Sequence, residues 1–357
     1  MKKKVLAIMM AAAMAVSLAA CGTPAPDSGS QQSQGDGAEA PQENAGDESS
    51  DDQASAGDQA SSDDTVYHIG ICQQIEHPAL DAATQGFIDT LKEKLGDRVE
   101  IVVQTAQGDQ ASCATICNVY VADKVDLIMA NATAALQAAS AATADIPILG
   151  TSISAYSAAL DLDDFTGTTG LNISGTSDLA PIDQQEDMIL ELIPDVQQVG
   201  ILYCSAEPNS KFQADLMIES LEEDNIAYQV YTVADANEIQ AVVTTACSEC
   251  DVLYIPTDNT LANGIEIVKN IIVPAGIPMI AGEEGICVAG IATLSINYYD
   301  LGCQTAEMAY EILVNGADVS TMEVQYAPAP TKKYNKEICE ALNITVPDDY
   351  EAIEAAE

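Results

Sequence analysis

The chain has 357 residues and a formal net charge of −44, with 12 Lys and Arg against 56 Asp and Glu. A field of that sign repels nucleic-acid phosphates and argues against a DNA- or RNA-binding role. Only His68 and His77 could act as bases near neutral pH, and there is no Gly-x-Ser-x-Gly elbow, His-Glu-x-x-His pair or phosphate-binding glycine loop, so neither an enzyme nor a cofactor is expected.

Lys2, Lys3 and Lys4 open the chain, an uncharged apolar run follows from Val5 to Val16, and Leu18-Ala19-Ala20-Cys21 ends it. The run is shorter than the roughly 20 residues a membrane span needs, but it has the parts of a signal peptide over residues 1–20. The terminal Leu-Ala-Ala-Cys looks like a bacterial lipobox, which predicts lipidation of Cys21 and an anchor on the extracellular face of the membrane; the alternative is ordinary cleavage near Ala20. From Gly22 to Asp64 there is no Val, Ile, Leu or aromatic residue. Such a stretch cannot bury enough surface to offset its ordering entropy, so residues 21–64 are expected to be a disordered acidic linker.

The chain has ten cysteines, and one is Cys21. The rest are an odd number scattered through apolar segments, which suggests free buried thiols rather than a disulfide framework. Cys247 and Cys250 could form a redox pair or half a zinc site, yet no second such pair and few histidines accompany them, so no metal is expected.

Residues 65–357 are long enough for about two lobes. Strands are predicted over Val66–Cys72, Val99–Gln104, Val125–Ala130 and Ile146–Thr151, with helices over Ala79–Leu95, Ala111–Ala122 and Ala134–Ala144 between them. Near-continuous apolar strands alternating with helices imply a parallel sheet covered on both faces. The same order returns in strands Val196–Tyr203, Ala227–Val233, Val252–Pro256 and Pro278–Ala281 and helices Phe212–Glu223, Ala236–Cys247 and Leu261–Ile272. Crossovers are expected at Gly167–Asp178, after the strand Ile291–Ile296 that leads into helix Tyr299–Val314, and near Met322–Tyr326. The prediction is two doubly wound α/β lobes joined by a multi-crossing hinge, lobe 1 from 65–174 plus about 297–321 and lobe 2 from 175–296 plus about 322–357.

In open parallel sheets, ligands lie outside the carboxyl ends of the strands. The residues just past the predicted strands are polar: Gln73, Gln74, Glu76 and His77; Asn131 and Thr133; Thr151 and Ser152; Tyr203 and Ser205; Thr257, Asp258 and Asn259; Glu283 and Glu284. Each could equally be a helix cap, since Asn, Asp, Ser and Thr are preferred there.

The segment from Ile69 to Asp81 (IGICQQIEHPALD), followed by Gly86-Phe87, resembles the opening of the ABC-transporter substrate-binding proteins related to the tryptophan- and tyrosine-binding lipoproteins of Gram-positive bacteria. Ala130–Thr133, Gly175–Asp178, Pro256–Thr260 and Asn297–Gly302 are similar to that family's loop blocks, in the same order. The segment Ser152–Leu160 and the pair Ala135-Leu136 depart from its pattern beside the expected cleft. The resemblance implies a type I periplasmic-binding-protein fold, a monomer that binds a small solute such as an aromatic amino acid, and an ABC permease as partner.

For an amino-acid ligand, the carboxylate is expected on hydroxyl, amide and helix N-terminal groups at Asn131, Thr133, Ser152, Thr176 and Ser177. The ammonium is expected on Asp258 first, with Glu76 or Asp178 as alternatives; Gln74, Tyr203, Asn259 and Glu283 complete the candidate site. The one arginine, Arg98, lies away from the expected cleft. Stacking on an aromatic ligand would fall to Tyr156, Tyr203 or Tyr298, or to Ile75 and Leu80. A surface adhesin or antigen, and a ligand sensor docking a membrane receptor, are the rival readings.

Overall fold

The computed structural model describes residues 65–354; the expected signal peptide, Cys21 and the linker to Asp64 lie outside the described residues. The first lobe opens with β1 (Tyr67–Gln73), α1 (Pro78–Leu95), β2 (Val99–Thr105), α2 (Gln110–Asp123), β3 (Leu127–Asn131), α3 (Thr133–Ala142), β4 (Ile148–Thr151), α4 (Tyr156–Leu160) and β5 (Ile173–Ser177). The second lobe follows with α5 (Ile182–Leu192), β6 (Gln198–Cys204), α6 (Pro208–Glu223), β7 (Ala227–Val233), α7 (Ile239–Glu249), β8 (Val252–Ile255), α8 (Asn259–Asn263), α9 (Ile265–Ala275), β9 (Met279–Ala281) and β10 (Ala292–Ser295). The chain returns to the first lobe for α10 (Tyr298–Leu313) and β11 (Gln325–Tyr326), then ends in the second with β12 (Thr331–Tyr334), α11 (Lys336–Leu342) and β13 (Glu351–Ala352).

The first sheet has six strands in the order β11-β5-β4-β3-β1-β2, and the second has seven in the order β13-β12-β10-β9-β8-β6-β7. Every pairing is parallel except β10 with β12. Residue parity along the strands sends side chains to two separate cores. In the first lobe Ile69, Ile71, Leu127, Met129 and Leu149 pack with Phe87 and Leu91 of α1 and Ala306 and Ala309 of α10. Their neighbours Cys72, Ile128, Ala130 and Ile148 pack with α2 and α3 on the other face. The second lobe repeats the arrangement, with Val199, Ile201 and Tyr254 under α5 and α6 and Leu202, Leu253 and Ile255 under α7 and α9. Doubly covered sheets explain why the strands read as unbroken apolar runs.

Two stretches differ from the sequence reading. Residues 173–177 are not a bare crossover but β5, parallel to β4 and fully buried. Their Ser and Thr hide the strand signal because the hydroxyls are satisfied internally: Ser174 Oγ donates to the Met322 carbonyl at 3.0 Å, and Thr176 Oγ1 lies 3.1 Å from Thr151 Oγ1 and 2.8 Å from Thr305 Oγ1. Met322–Tyr326 likewise contains β11, which joins β5. The crossings between lobes therefore fall after Ser177, between Ser295 and Tyr298, and after Tyr326. They are laced together, since Tyr298 donates its hydroxyl to Asp178 Oδ2 at 2.8 Å and the Ala327 amide donates to the Ser177 carbonyl at 3.1 Å.

The α1–α10 contact fixes where the two crossing-side helices begin. A Cβ built on Gly86 would lie 2.1 Å from the Tyr299 carbonyl oxygen, and one on Gly302 would lie 1.9 Å from that of Ala83. Glycine at both positions lets the backbones approach within a distance that no side chain permits.

Candidate functional site

The carboxyl ends of both sheets face one cleft, shut so tightly that only about 10 Å³ is left free, room for about one water, so a small-molecule ligand must enter with the lobes apart. From the first lobe it is lined by His77 just before α1 and Leu80 in its first turn, Ser152 and Ser154 after β4, Asp178 at the first crossing and Tyr298 at the start of α10. From the second come Asn209 at the start of α6, Thr257, Asp258, Asn259 and Ala262 after β8, and Glu283 after β9. No Lys or Arg is among them. Hydrogen bonds cross the cleft: His77 Nε2 lies 3.2 Å from Asn259 Oδ1, and Gln213 Nε2 of α6 donates to Ser154 Oγ at 3.1 Å. The lobes are closed on one another.

The buried carboxyls differ in what holds them. Asp258 is the N-cap of α8; its Oδ1 accepts from the Leu261 amide at 2.8 Å and its Oδ2 from the Cys204 amide at 2.6 Å. Burial, reinforced by the Glu207 carboxylate, raises its pKa. Glu283 accepts from the Gly285 and Ile286 amides at 2.6 and 2.8 Å, and burial pushes it up to about 7. Asp178 is bound by hydroxyls instead, from Ser154 at 2.9 Å and Tyr298 at 2.8 Å, and burial raises its pKa too. Burial lowers the pKa of His77 and keeps the imidazole neutral. Two buried polar atoms of the lining have no partner in the protein: Ser152 Oγ, on a residue with φ of 56°, and Asn209 Oδ1. Orphaned buried atoms cost stability unless something occupies the site.

Of the residues singled out from sequence, Ser152, Asp178, Asp258, Asn259 and Glu283 meet in the cleft. Glu76 does not; it is exposed, with only Gln107 Nε2 at 3.5 Å. Gln74 accepts from the Ala134 amide at 3.0 Å and so caps α3, whose first residue is the buried Thr133. Asn131 is fully buried and ties β3 to α1 by donating to the Leu80 carbonyl at 2.8 Å and Thr84 Oγ1 at 2.9 Å. Thr176 belongs to the buried hydroxyl chain, and Ser177 Oγ accepts from the Leu179 amide at 3.3 Å. Tyr203 follows the parity of Val199 and Ile201 and packs in the core under α5 and α6, not in the cleft. Tyr156 is likewise core, its hydroxyl donating to the Gly150 carbonyl at 3.1 Å. Glu284 is held outside the cleft by Lys333 Nζ at 2.8 Å.

Sequence reasoning missed Glu207 and Asn209. Glu207 is buried and accepts from the Asn259 and Thr260 amides at 3.0 and 2.8 Å and from Thr260 Oγ1 at 2.7 Å. Pro208 at the first turn of α6 was the available signal, because proline marks that position.

The family model described as ABC transporter substrate binding protein matches residues 68–356. The chain is 34% identical to a tyrosine-binding protein of Clostridioides difficile (strain R20291) over 281 residues, 78% of this chain and 81% of that one. Among solved structures it resembles an ABC domain from Streptococcus pneumoniae in complex with L-Trp, with TM-score 0.76, 32% identity, and 80% of this chain and 97% of that one covered. It also resembles a ligand-free, open substrate-binding protein with adhesive properties from Clostridium difficile, with TM-score 0.64, 35% identity, and 82% and 100% covered. A cleft built at facing strand ends and a match over nearly the whole described fold lead to one assignment: this chain belongs to the family of ABC transporter substrate-binding proteins.

Proposed function

We propose that the protein captures an aromatic amino acid outside the cell and delivers it to an ABC permease, tethered to the membrane by a lipidated Cys21. The observation that carries the ligand class is the closed cleft itself, with unpartnered Ser152 Oγ and Asn209 Oδ1, buried acidic groups and no cationic side chain in its lining. An amino acid supplies an ammonium for the acceptors and a carboxylate for hydroxyl and backbone donors. Asp178 is the better ammonium partner, because both Asp258 oxygens already accept backbone amides. Leu80, Ala262 and Tyr298 offer the side chain an apolar wall. Similarity to a tyrosine-binding protein and to an L-Trp complex supports the aromatic preference.

A thermal-shift screen of the purified chain against the twenty amino acids tests this reading. Stabilisation by Tyr, Trp or Phe is expected, growing as ln(1 + [L]/Kd); a shift with another solute alone replaces the ligand class. Cys21→Ser is expected to release the chain from cells into the medium, and retention at the membrane would remove the anchor. The adhesive relative favours adhesion as a second activity. It would use the outer surface, so cleft substitutions should leave adhesion unchanged.

A further inference from the structure

We propose that His77, Asn259 and Glu207 form a latch that holds the lobes together and sets the residence time of the ligand through the closed state rather than through ligand contact. The proposal rests on the cleft being a solute site.

His77 occupies the N-cap position of α1 in an extended conformation and gives that helix no side-chain cap. Its ring instead meets the second lobe, with Nε2 at 3.2 Å from Asn259 Oδ1. The Asn259 amide nitrogen donates to Glu207 Oε2 at 2.8 Å, which turns the amide oxygen toward His77. An amide oxygen only accepts, so His77 Nε2 carries the proton. Burial, which lowers the pKa of the ring, keeps it a neutral donor. Glu207 is a fixed end point, bound also by the backbone amides of Asn259 and Thr260. The chain thus runs donor to acceptor from the first lobe to an immobile carboxylate in the second. Every link but the first lies within the second lobe, so hinge opening breaks the His77–Asn259 bond and leaves the rest intact. A bond made only in the closed state slows opening and leaves encounter with the open state unchanged. A buried neutral hydrogen bond of this kind corresponds to about fivefold in rate.

The test is stopped-flow kinetics with L-tyrosine on the full chain and on His77→Ala, Asn259→Ala, the double variant and His77→Gln. Each alanine variant is expected to raise the dissociation rate about fivefold at an unchanged association rate. The double variant should be no faster than either single one, since both remove the same bond. His77→Gln, which keeps a donor at similar reach, should restore the slow rate. Unchanged dissociation in both single variants, multiplied effects in the double, or a His77→Gln as fast as His77→Ala overturns the latch. If L-tyrosine does not bind the wild type, the ligand reading fails separately and solution scattering of the ligand-free proteins decides. A larger radius of gyration in both alanine variants, reversed in His77→Gln, supports the latch, and equal radii overturn it.

Discussion

At the scale of single residues, three buried carboxyls of the cleft separate by what they accept. The hydroxyls on Asp178 can reorient to suit an amide, whereas the backbone amides on Asp258 cannot. Asp178→Asn is therefore expected to fold with little loss of stability and to raise the Kd for L-tyrosine by at least about tenfold, because it removes a buried charge from the ammonium. Asp258→Asn should instead cost on the order of 1–3 kcal/mol of stability, through one backbone N–H left facing a donor. Calorimetry and urea unfolding of the two variants, run side by side, separate these roles, and the reverse pattern would return the ammonium to Asp258. Glu283 titrates with the opposite sign from an ordinary ion-paired carboxylate. Its folded pKa of about 7 lies above the usual 4.5. Between those values the unfolded chain has released the proton and the folded one still holds it, so stability falls as pH rises through the window, by on the order of 3 kcal/mol. Unfolding midpoints measured from about pH 4.5 to 8 should show that decline, to which Asp178 and Asp258, also raised by burial, add with the same sign, and Glu283→Gln should make it shallower; an identical slope in the variant would discount Glu283 as a source.

At the scale of elements, the helix pair α1–α10 carries the site, because His77 precedes one helix and Tyr298 begins the other. Gly302→Ala would place a Cβ 1.9 Å from the Ala83 carbonyl oxygen, so the helices must separate. A stability loss of about 1–3 kcal/mol is expected, together with weaker ligand binding as Tyr298 moves from Asp178; an unchanged Tm and Kd would show that the pair can slide without cost. The same elements show what the sequence could and could not disclose. Parallel strands buried on both faces leave apolar runs that need no partner information, so β1, β3, β6 and β8 and the polar residues after them were legible. β5 is not, because Gly175 has no side chain and Ser174 and Thr176 satisfy their hydroxyls on Met322 and Thr305, so the stretch carries no apolar signal. Proximity to a strand end puts Tyr203 among the cleft candidates, but side-chain parity, which sends it to the core, shows only in the folded sheet. Glu207 was passed over because its partners, Asn259 and Thr260, lie far along the chain and meet it only after the second sheet has formed.

At the scale of the whole molecule, the two lobes carry almost no compensating charge. Ion pairs among the described residues lie at the surface, such as Lys94 with Glu307 at 2.7 Å and Lys211 with Asp215 at 2.6 Å, and exposed pairs contribute little. Against them stands a formal net charge of −35 over residues 65–354, where 9 Lys and Arg face 44 Asp and Glu. Mutual repulsion of that size opposes the compact state, and salt screens it over a Debye length of about 10 Å at 0.1 M. Raising NaCl from about 0.05 to 0.5 M is therefore expected to move the urea midpoint of the ligand-free chain upward. An engineered chain with several exposed acids changed to their amides should start higher and gain less from salt. A midpoint that falls with NaCl would mean that the surface pairs outweigh the repulsion. The buried cleft carboxyls should respond least, because the screening ions cannot reach between closed lobes, so a salt effect of similar size in Glu283→Gln would place the repulsion on the surface rather than in the site.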